Sequence, residues 1–357
     1  MSGRYLVTGC AGFIGSAVAR LLLREGETVV GVDNINDAYD RRVKLWRLDQ
    51  FKTATAFSFA PVDICDPAAL GRVFDARRRQ AANGRPPHDR PFDAVFHLAA
   101  RAGVRASVEH PEVYFRTNVE GTLNVLEYCR LSGVRKFVLA STSSLYGASK
   151  EMPYSEDSDT SRPLSPYAAS KKGAEALCHA YHYLHGIDTA IFRYFTVYGP
   201  AGRPDMSVFR FVRQIAEGEP ITVYGDGSQR RDFTFVEDIA RGTVAARNLS
   251  GFEVINLGSD QPVALRDVIH NISRLVEREA IVQYQDAHPA DVPATWANID
   301  KAGKLLRWRP QVEIEDGLRR SVAWYRENRE WLRPIGLNDE KSPTRLTEAR
   351  EPVRPIG

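Results

Sequence analysis

Cysteine is scarce in this chain. Four are spread over 357 residues (Cys10, Cys65, Cys129 and Cys178), with no CxxC pair and no histidine at metal-ligand spacing. A disulfide scaffold and a cysteine-built metal centre are thereby excluded; the four are expected to be reduced, mostly packed thiols, and no metal is expected. Long apolar runs are missing too, none approaching the roughly 20 residues that cross a bilayer. At the start of the chain Met-Ser-Gly-Arg passes straight into Tyr5-Leu6-Val7, without a charged segment leading into an apolar core. No secretion signal is read there, and a cytoplasmic location is expected. Charge of one sign is also absent: 48 basic and 45 acidic residues leave a net +3. Such a balance gives neither nucleic acid nor an anionic membrane an electrostatic reason to bind. No internal repeat is visible. Hydrophobic residues at 43 % and charged residues at 26 % are ordinary for a globular protein, which excludes disordered and collagen-like chains.

What is present is alternation. Candidate strands at Arg4–Thr8, Thr28–Asp33, Ala56–Val62, Ala94–Leu98, Lys136–Ser141 and Thr189–Tyr194 are separated by helix-period segments, among them Ile14–Arg24, Val113–Leu131 and Tyr167–Leu184. Short strands rich in Val, Ile and Leu, alternating with helices, predict an α/β fold with a doubly wound parallel sheet, Rossmann-like, covered on both faces. After Tyr198-Gly199-Pro200 the texture changes and the alternation weakens, with one further helix at Glu237–Asn248 and one further strand at Glu253–Leu257. The expected division is a dinucleotide-binding domain over 1–197 and 228–258, a smaller discontinuous C-terminal substrate domain over 198–227 and 259–332, and a mobile or surface-draped tail over 333–357. The basic, Gly- and Pro-rich stretch 77–91 is read as a solvated excursion.

The first strand runs into Thr8-Gly9-Cys10-Ala11-Gly12-Phe13-Ile14-Gly15 and then a helix. In such a loop Gly9 permits the tight turn, Gly12 lets backbone approach a pyrophosphate, and Gly15 lets helix and strand pack closely. The free N–H groups and partial positive charge of the helix N-terminus suit phosphate. Asp33 ends the second strand, where an acid accepts hydrogen bonds from an adenosine ribose and repels a 2′-phosphate; Asn34 follows it rather than Arg. NAD is therefore expected over NADP. Asp63 and Ile64, after the third strand, are placed near the adenine edge.

A phenol and an ammonium, Tyr167 and Lys171, stand one helical turn apart and face the same way. A neighbouring cation lowers a tyrosine pKa and lets it work as a general base near neutral pH. Upstream, the strand Lys136–Ser141 leads into Thr142-Ser143-Ser144, a hydroxyl-rich strand end of the kind that meets ligands in doubly wound sheets.

Together these pieces resemble the extended short-chain dehydrogenase/reductase family, in particular its NAD-dependent nucleotide-sugar epimerases and dehydratases. The resemblance runs from about Arg4 to Leu332. It rests on Gly9–Gly15, His97-Leu98-Ala99-Ala100, the hydroxyl strand ending Leu145-Tyr146-Gly147, Tyr167 with Lys171, Arg193 through Pro200, and Arg231-Asp232-Phe233. It implies that Thr142, Tyr167 and Lys171 are catalytic. It also implies that Phe13, Ile14, Leu98, Ala99 and Ala100 join the glycines, Asp33, Asn34, Asp63, Ile64, Tyr167 and Lys171 around NAD. In that family the C4 hydride of a nucleotide sugar is removed while the tyrosine takes the 4-hydroxyl proton. Dehydratases carry Asp-Glu, and decarboxylases a Glu, where this chain has Ser143-Ser144; without such an acid, the simplest fate of the 4-ketone is rotation and hydride return, a 4-epimerisation.

Three segments resemble UDP-glucuronate 4-epimerases in particular: Asp33–Asp40, Ala102-Gly103-Val104-Arg105, and Thr196 with Gly202-Arg203-Pro204-Asp205-Met206. The implied contacts to the substrate carboxylate are Ser143, Ser144, Thr196 and Arg203, a guanidinium fork with donating hydroxyls. For the rest of the substrate the likeness implies Arg105, Arg231 at the diphosphate, Tyr224 beside the uracil and Asp291 at the uridine ribose. Arg101 and Ala106 stand where glucuronate epimerases usually have Gln and Tyr, and His288 where the family commonly has Arg. A 4-epimerase of a neutral UDP-hexose, a UDP-glucuronate decarboxylase and a non-catalytic NAD-sensing protein remain open on the sequence. The family also implies a homodimer through a four-helix contact, to which Val113–Leu131 and Tyr167–Leu184 would contribute.

Overall fold

The computed structural model describes residues 2–81, 90–149, 151–286 and 292–337. In chain order its strands are β1 (Arg4–Thr8), β2 (Thr28–Asp33), β3 (Phe57–Pro61), β4 (Ala94–His97), β5 (Lys136–Thr142), β6 (Asp188–Tyr194), β7 (Thr196–Tyr198), β8 (Ile221–Tyr224), β9 (Arg230–Phe235), β10 (Phe252–Leu257), β11 (Pro262–Ala264) and β12 (Val282–Gln285). Seven of them form one parallel sheet in the order β10-β6-β5-β4-β1-β2-β3. Helices cover both faces, so β1, β4 and β5 are buried along almost their whole length and read as unbroken apolar runs. The strand order reverses between β1 and β4, which opens a crevice at their carboxyl ends.

The smaller sheets lie beyond. β7 and β11 flank β9, and β8 pairs with β12. Helices Ser207–Glu217, Leu265–Val276 and Ile314–Leu332 share a second apolar core with Phe233 and Phe235 of β9. Tyr39 and Val43 reach into that core from just after β2, so the two cores meet beside the crevice. Ile335 and Leu337 are buried there too, and Arg42 and Arg213 donate to the carbonyls of Pro334 and Ile335 at 3.3 and 2.7 Å. The stretch from 333 to 337 is thus docked on the second core, where its composition suggests a mobile or surface-draped tail; 338–357 lies outside the described residues. The helix Pro67–Ala81 continues into the expected excursion, of which 82–89 likewise lies outside them.

Two helices set the crevice walls. Pro166–His185 begins with Ser165 capping the Ala168 N–H at 3.2 Å and Pro166 in its first turn, and it stops at Gly186 in the left-handed region. The helix expected over Val113–Leu131 is present with a difference. Its Pro111–Phe115 and Gly121–Ser132 parts are joined by a π-helical turn, Arg116–Glu120. From that turn the buried Asn118 accepts from the Arg101 N–H at 2.8 Å and donates to the Arg101 carbonyl and to Ser170 Oγ, both at 2.9 Å.

Candidate active site

A cleft of about 370 Å³ runs along the carboxyl ends of the central strands. Its floor at one end is the turn after β1. A Cβ on Gly15 would lie 2.0 Å from the Gly9 carbonyl oxygen, and one on Gly12 would lie 2.9 Å from the same atom. Gly9 has φ +71°, and a Cβ there would lie 2.6 Å from the Ala99 N. Only bare backbone fits at these positions. The helix Phe13–Arg24 that follows has no side-chain cap, so its first N–H groups face the cleft with only a ligand or water to meet them. That combination fits the pyrophosphate of a dinucleotide.

Asp33 accepts the Ala11 N–H at 3.1 Å and the Ile35 N–H at 2.8 Å, which orients its carboxylate at the edge of the cleft and leaves lone pairs for ribose hydroxyls. Asn34 donates to Asp63 at 3.0 Å, and Asp63 also accepts the Cys65 N–H at 2.8 Å. Burial alone would raise the Asp63 pKa; the Cys65 and Asn34 bonds hold it below the usual carboxylate range, so it stays an acceptor. On the opposite wall His97 bridges Thr8 and Thr122 at 2.8 and 3.1 Å, and Thr8 in turn accepts the Ala99 N–H at 3.2 Å. Burial, with Lys171 adding to it, holds that imidazole neutral, its pKa pushed down to about 3. The histidine thus props up the Leu98-Ala99-Ala100 backbone, which lines the cleft together with Phe13, Ile14 and Ile64.

Thr142, Ser143, Ser144, Tyr167, Lys171, Thr196 and Arg203 line the same cleft further along. Thr142 donates to Ser144 Oγ and accepts the Ser144 N–H, both at 3.1 Å, where β5 gives way to the tight turn Ser143–Tyr146. The electrostatics of the phenol differ from the sequence expectation. Burial raises the Tyr167 pKa; a hydrogen bond with Thr142 and the charge of Arg203 act against it. Lys171 is itself buried, and that lowers its pKa to about 8 even with Glu175 favouring the charge. Without a bound cation the phenol is therefore protonated. Arg203, not Lys171, is the side-chain cation that acts on it.

A second cleft of about 550 Å³ opens from the first and shares Ala102, Gly103, Thr196, Arg203 and Met206 with it. Arg105, Tyr224 and Arg231 line this second space. The Arg105 guanidinium lies 4.0 Å above the Tyr224 ring. Arg231 donates to the Arg230 carbonyl at 2.9 Å, and Gln229 fixes the Tyr224 carbonyl at 2.9 Å. With Arg210 also at the wall, the lining is cationic and aromatic, which suits a nucleoside diphosphate. Asp291 and His288 lie outside the described residues.

A model of the NAD dependent epimerase/dehydratase family matches residues 5–258. The chain belongs to that family. Among relatives in the epimerase/dehydratase family, a UDP-glucuronate 4-epimerase of Thermodesulfobacterium geofontis is 51 % identical over 334 residues, covering 93 % of this chain and 99 % of that protein. A Bacillus cereus UDP-glucuronic acid 4-epimerase, crystallised with UDP-glucuronic acid and NAD, superposes with a TM-score of 0.81 at 35 % identity, covering 91 % and 99 % of the two chains. A Thermotoga maritima UDP-glucose 4-epimerase with UDP-glucose also reaches 0.81, at 30 % identity over 91 % and 99 %. Shape within the family therefore does not choose the sugar; side chains must.

Some of those side chains carry no motif of their own. Lys44 is buried in the first cleft, where it donates to the Asn36 carbonyl at 2.8 Å and to Asn36 Oδ1 at 2.7 Å; burial lowers its pKa to about 8 while Asp33 pulls the other way. Asp205 grips Arg203, receiving its Nε at 3.0 Å and its Nη2 at 2.5 Å. Burial works against the Arg203 charge, but Asp205 more than offsets it. Tyr39 packs against the Arg203 guanidinium, 5.8 Å from ring centroid to the carbon. The sequence signal for Tyr39 and Asp205 was the likeness of Asp33–Asp40 and of the Arg203–Met206 segment to one branch of the family; Lys44 had none.

Proposed function

We propose that the protein is an NAD-dependent isomerase that interconverts UDP-glucuronate and UDP-galacturonate by 4-epimerisation. The observation that carries this reading is the lining of the first cleft. Its acids are Asp33 and Asp63, both at the adenosine end, whereas hydroxyls of Ser143, Ser144 and Thr196 and the guanidinium of Arg203 surround the Tyr167 end. Such a site can hold a sugar carboxylate, and among the described residues lining this cleft none at the Tyr167 end is an acid that could expel water or assist loss of CO₂; Asp205 lies in the adjoining cleft, paired with Arg203.

In this assignment Gly9, Gly12 and Gly15 cradle the pyrophosphate, Asp33 and Asn34 take the adenosine ribose, Asp63 and Ile64 the adenine, and Leu98, Ala99 and Ala100 the middle of the cofactor. When bound, NAD⁺ supplies a hydride acceptor at C4 of the sugar and a positive charge near the phenol. Tyr167 takes the 4-hydroxyl proton through Thr142 or directly, and holds it until the ketone has turned its other face. Lys171, one helical turn along the same buried wall, is assigned with Tyr167 to the cofactor, and Arg203 is the side-chain cation that favours the phenolate. Tyr167 then returns the proton to the oxygen as the hydride goes back to the other face of C4; with both restored, no net oxidation results. Ser143, Ser144, Thr196 and Arg203 fix the carboxylate of the 4-keto sugar, a β-keto acid. Arg105 and Arg231 take the diphosphate, Tyr224 the uracil and Asp291 the uridine ribose.

The deciding experiment is a proton NMR time course of the purified protein with UDP-glucuronate, read in the anomeric region, first without and then with added NAD⁺. UDP-galacturonate is the expected product. A UDP-pentose would mean that the site decarboxylates; no change with NAD⁺ present would turn the reading to a neutral UDP-hexose.

We also propose a cytoplasmic homodimer, with 1–197 and 228–258 working as the cofactor domain and 198–227 with 259–332 as the substrate domain. All four cysteines are unpaired, and among the described residues no helix is long and apolar enough to cross a membrane. Phe115, Leu123 and Leu131 on one helix stretch, and Tyr183 and Leu184 on helix Pro166–His185, stand exposed as a four-helix contact would need. Sedimentation at twice the chain mass is expected, and a monomer at micromolar concentration would overturn the dimer.

A further inference from the structure

The guanidinium of Arg47 is 1 % exposed, yet none of its acceptors is a carboxylate. It sits in the last turn of helix Arg41–Asp49 and uses all five of its N–H groups. Nε and Nη2 donate to the Ala201 carbonyl at 3.0 and 2.7 Å, and Nη2 also donates to the Gly202 carbonyl at 3.1 Å. Nη1 donates to the Ala11 carbonyl at 3.0 Å and to the Tyr39 hydroxyl at 2.6 Å. A buried charge with only neutral partners is costly, and a fold tolerates it where the fork holds something that must not move.

What it holds is the junction of the two clefts. Ala11 belongs to the glycine turn under the first cleft. Ala201 and Gly202 immediately precede Arg203, and Ala201 has φ +55°, a left-handed conformation that a residue with a Cβ rarely adopts. Two of the five donors converge on its carbonyl. Both guanidinium groups pack on the ring of Tyr39, Arg47 at 5.5 Å and Arg203 at 5.8 Å from its centroid.

We propose that Arg47 is a positioning residue for uronate recognition: it locks the Ala201–Gly202 turn and the Tyr39 ring against the glycine loop, and so fixes where Arg203 presents its fork. Resting on the reading of Arg203 as the carboxylate ligand, this adds that the selectivity of the site depends on a side chain that never touches substrate.

The test is calorimetric binding of UDP-glucuronate and of UDP to NAD-saturated protein, for wild type, Arg47→Lys, Tyr39→Phe, Arg203→Ala and the double variant Arg47→Lys with Arg203→Ala. Lysine keeps the charge and loses the fork. Arg47→Lys is expected to weaken UDP-glucuronate by ~10-fold, as a displacement of Arg203 by a fraction of an ångström would, while UDP changes less than about twofold. In the Arg203→Ala background the same substitution is expected to add no further selective loss. Tyr39→Phe removes one hydroxyl only, and is expected to act in the same direction by ~3-fold; it decides the matter if Arg47→Lys does not fold. Equal weakening of both ligands, or an unchanged ratio in Arg47→Lys and Tyr39→Phe, would show a purely structural arginine and overturn the proposal. If instead Arg203→Ala leaves the ratio unchanged, the carboxylate reading itself has failed, and the two failures are told apart.

Discussion

Replacing Tyr167 by Phe is expected to slow epimerisation by ~10³-fold, within the range that a positioned acid–base group supplies, while NAD binding and thermal stability stay close to wild type. In the proposed mechanism the phenol oxygen holds the 4-hydroxyl proton, and it lies beside Thr142 in the wall of the first cleft. Nothing in the backbone depends on it: Ser170 Oγ caps the Tyr167 carbonyl at 2.7 Å whatever the ring carries, and the Tyr114 ring meets Tyr167 edge-on at 6.1 Å through carbon. Burial holds the phenol above its ordinary pKa in the free protein, so its activation belongs to the bound state, when Arg203 is joined by the charge of the cofactor. Turnover followed by NMR, with NAD retention measured in parallel, checks this. A rate within tenfold of wild type would place the base elsewhere.

The second large effect is expected from Arg203→Ala. Removing one member of a fully buried, hydrogen-bonded charge pair costs about 2–5 kcal/mol; the Arg203–Asp205 pair is partly buried, so the lower part of that range applies, and the loss has two parts. On the proposed reading the substrate carboxylate loses its planar fork, and Asp205, now without the Nε and Nη2 bonds, presents an unneutralised charge to the same carboxylate. The Kd for UDP-glucuronate is expected to rise by ~10²-fold or more, at about 1.4 kcal/mol per decade, with UDP bound nearly as before through the second cleft. Product analysis gives an independent check. A 4-keto uronate loses CO₂ when the bond to its carboxylate can turn perpendicular to the plane of the ketone, so a fraction of UDP-pentose is expected from the variant. Equal loss of affinity for UDP would mean that Arg203 serves the fold or the diphosphate instead.

The central sheet was legible because its strands are covered on both faces, and burial of that kind writes unbroken apolar runs. β1 and β2 begin and end where the sequence placed them, and β3, β4, β5, β6 and β10 differ by a residue at one or both ends. Beyond Tyr198 the signal fades for a physical reason. β7 and β11 have three residues each, too short to show an alternation, and β7 follows β6 with only Phe195 between, so the strand read over Thr189–Tyr194 had no visible successor. β12 is almost wholly exposed and carries no alternation. The glycine turn and the Tyr167–Lys171 pair showed themselves because local spacing is all they need. Lys44, Arg47 and Asp205 did not, since their roles arise from contacts between segments far apart in the chain. An arginine on a short helix reads as a solvated charge until the Ala201 turn arrives to meet it.

The π-helical turn at Arg116–Glu120 has a bearing on how this protein can vary. A π turn holds one residue more than the α-turn it interrupts. Deleting any single residue there would restore a regular helix, but it would also rotate the part on the N-terminal side of the deletion by about 100° relative to the rest. Where the deletion falls after Asn118, that residue would leave the backbone of Arg101 and the hydroxyl of Ser170, which lies on the same helix as Tyr167 and Lys171. A local gain in helical regularity would thus be paid in the alignment of the catalytic helix. Substitutions along the outer face of this turn are tolerable, whereas a change in its length is not.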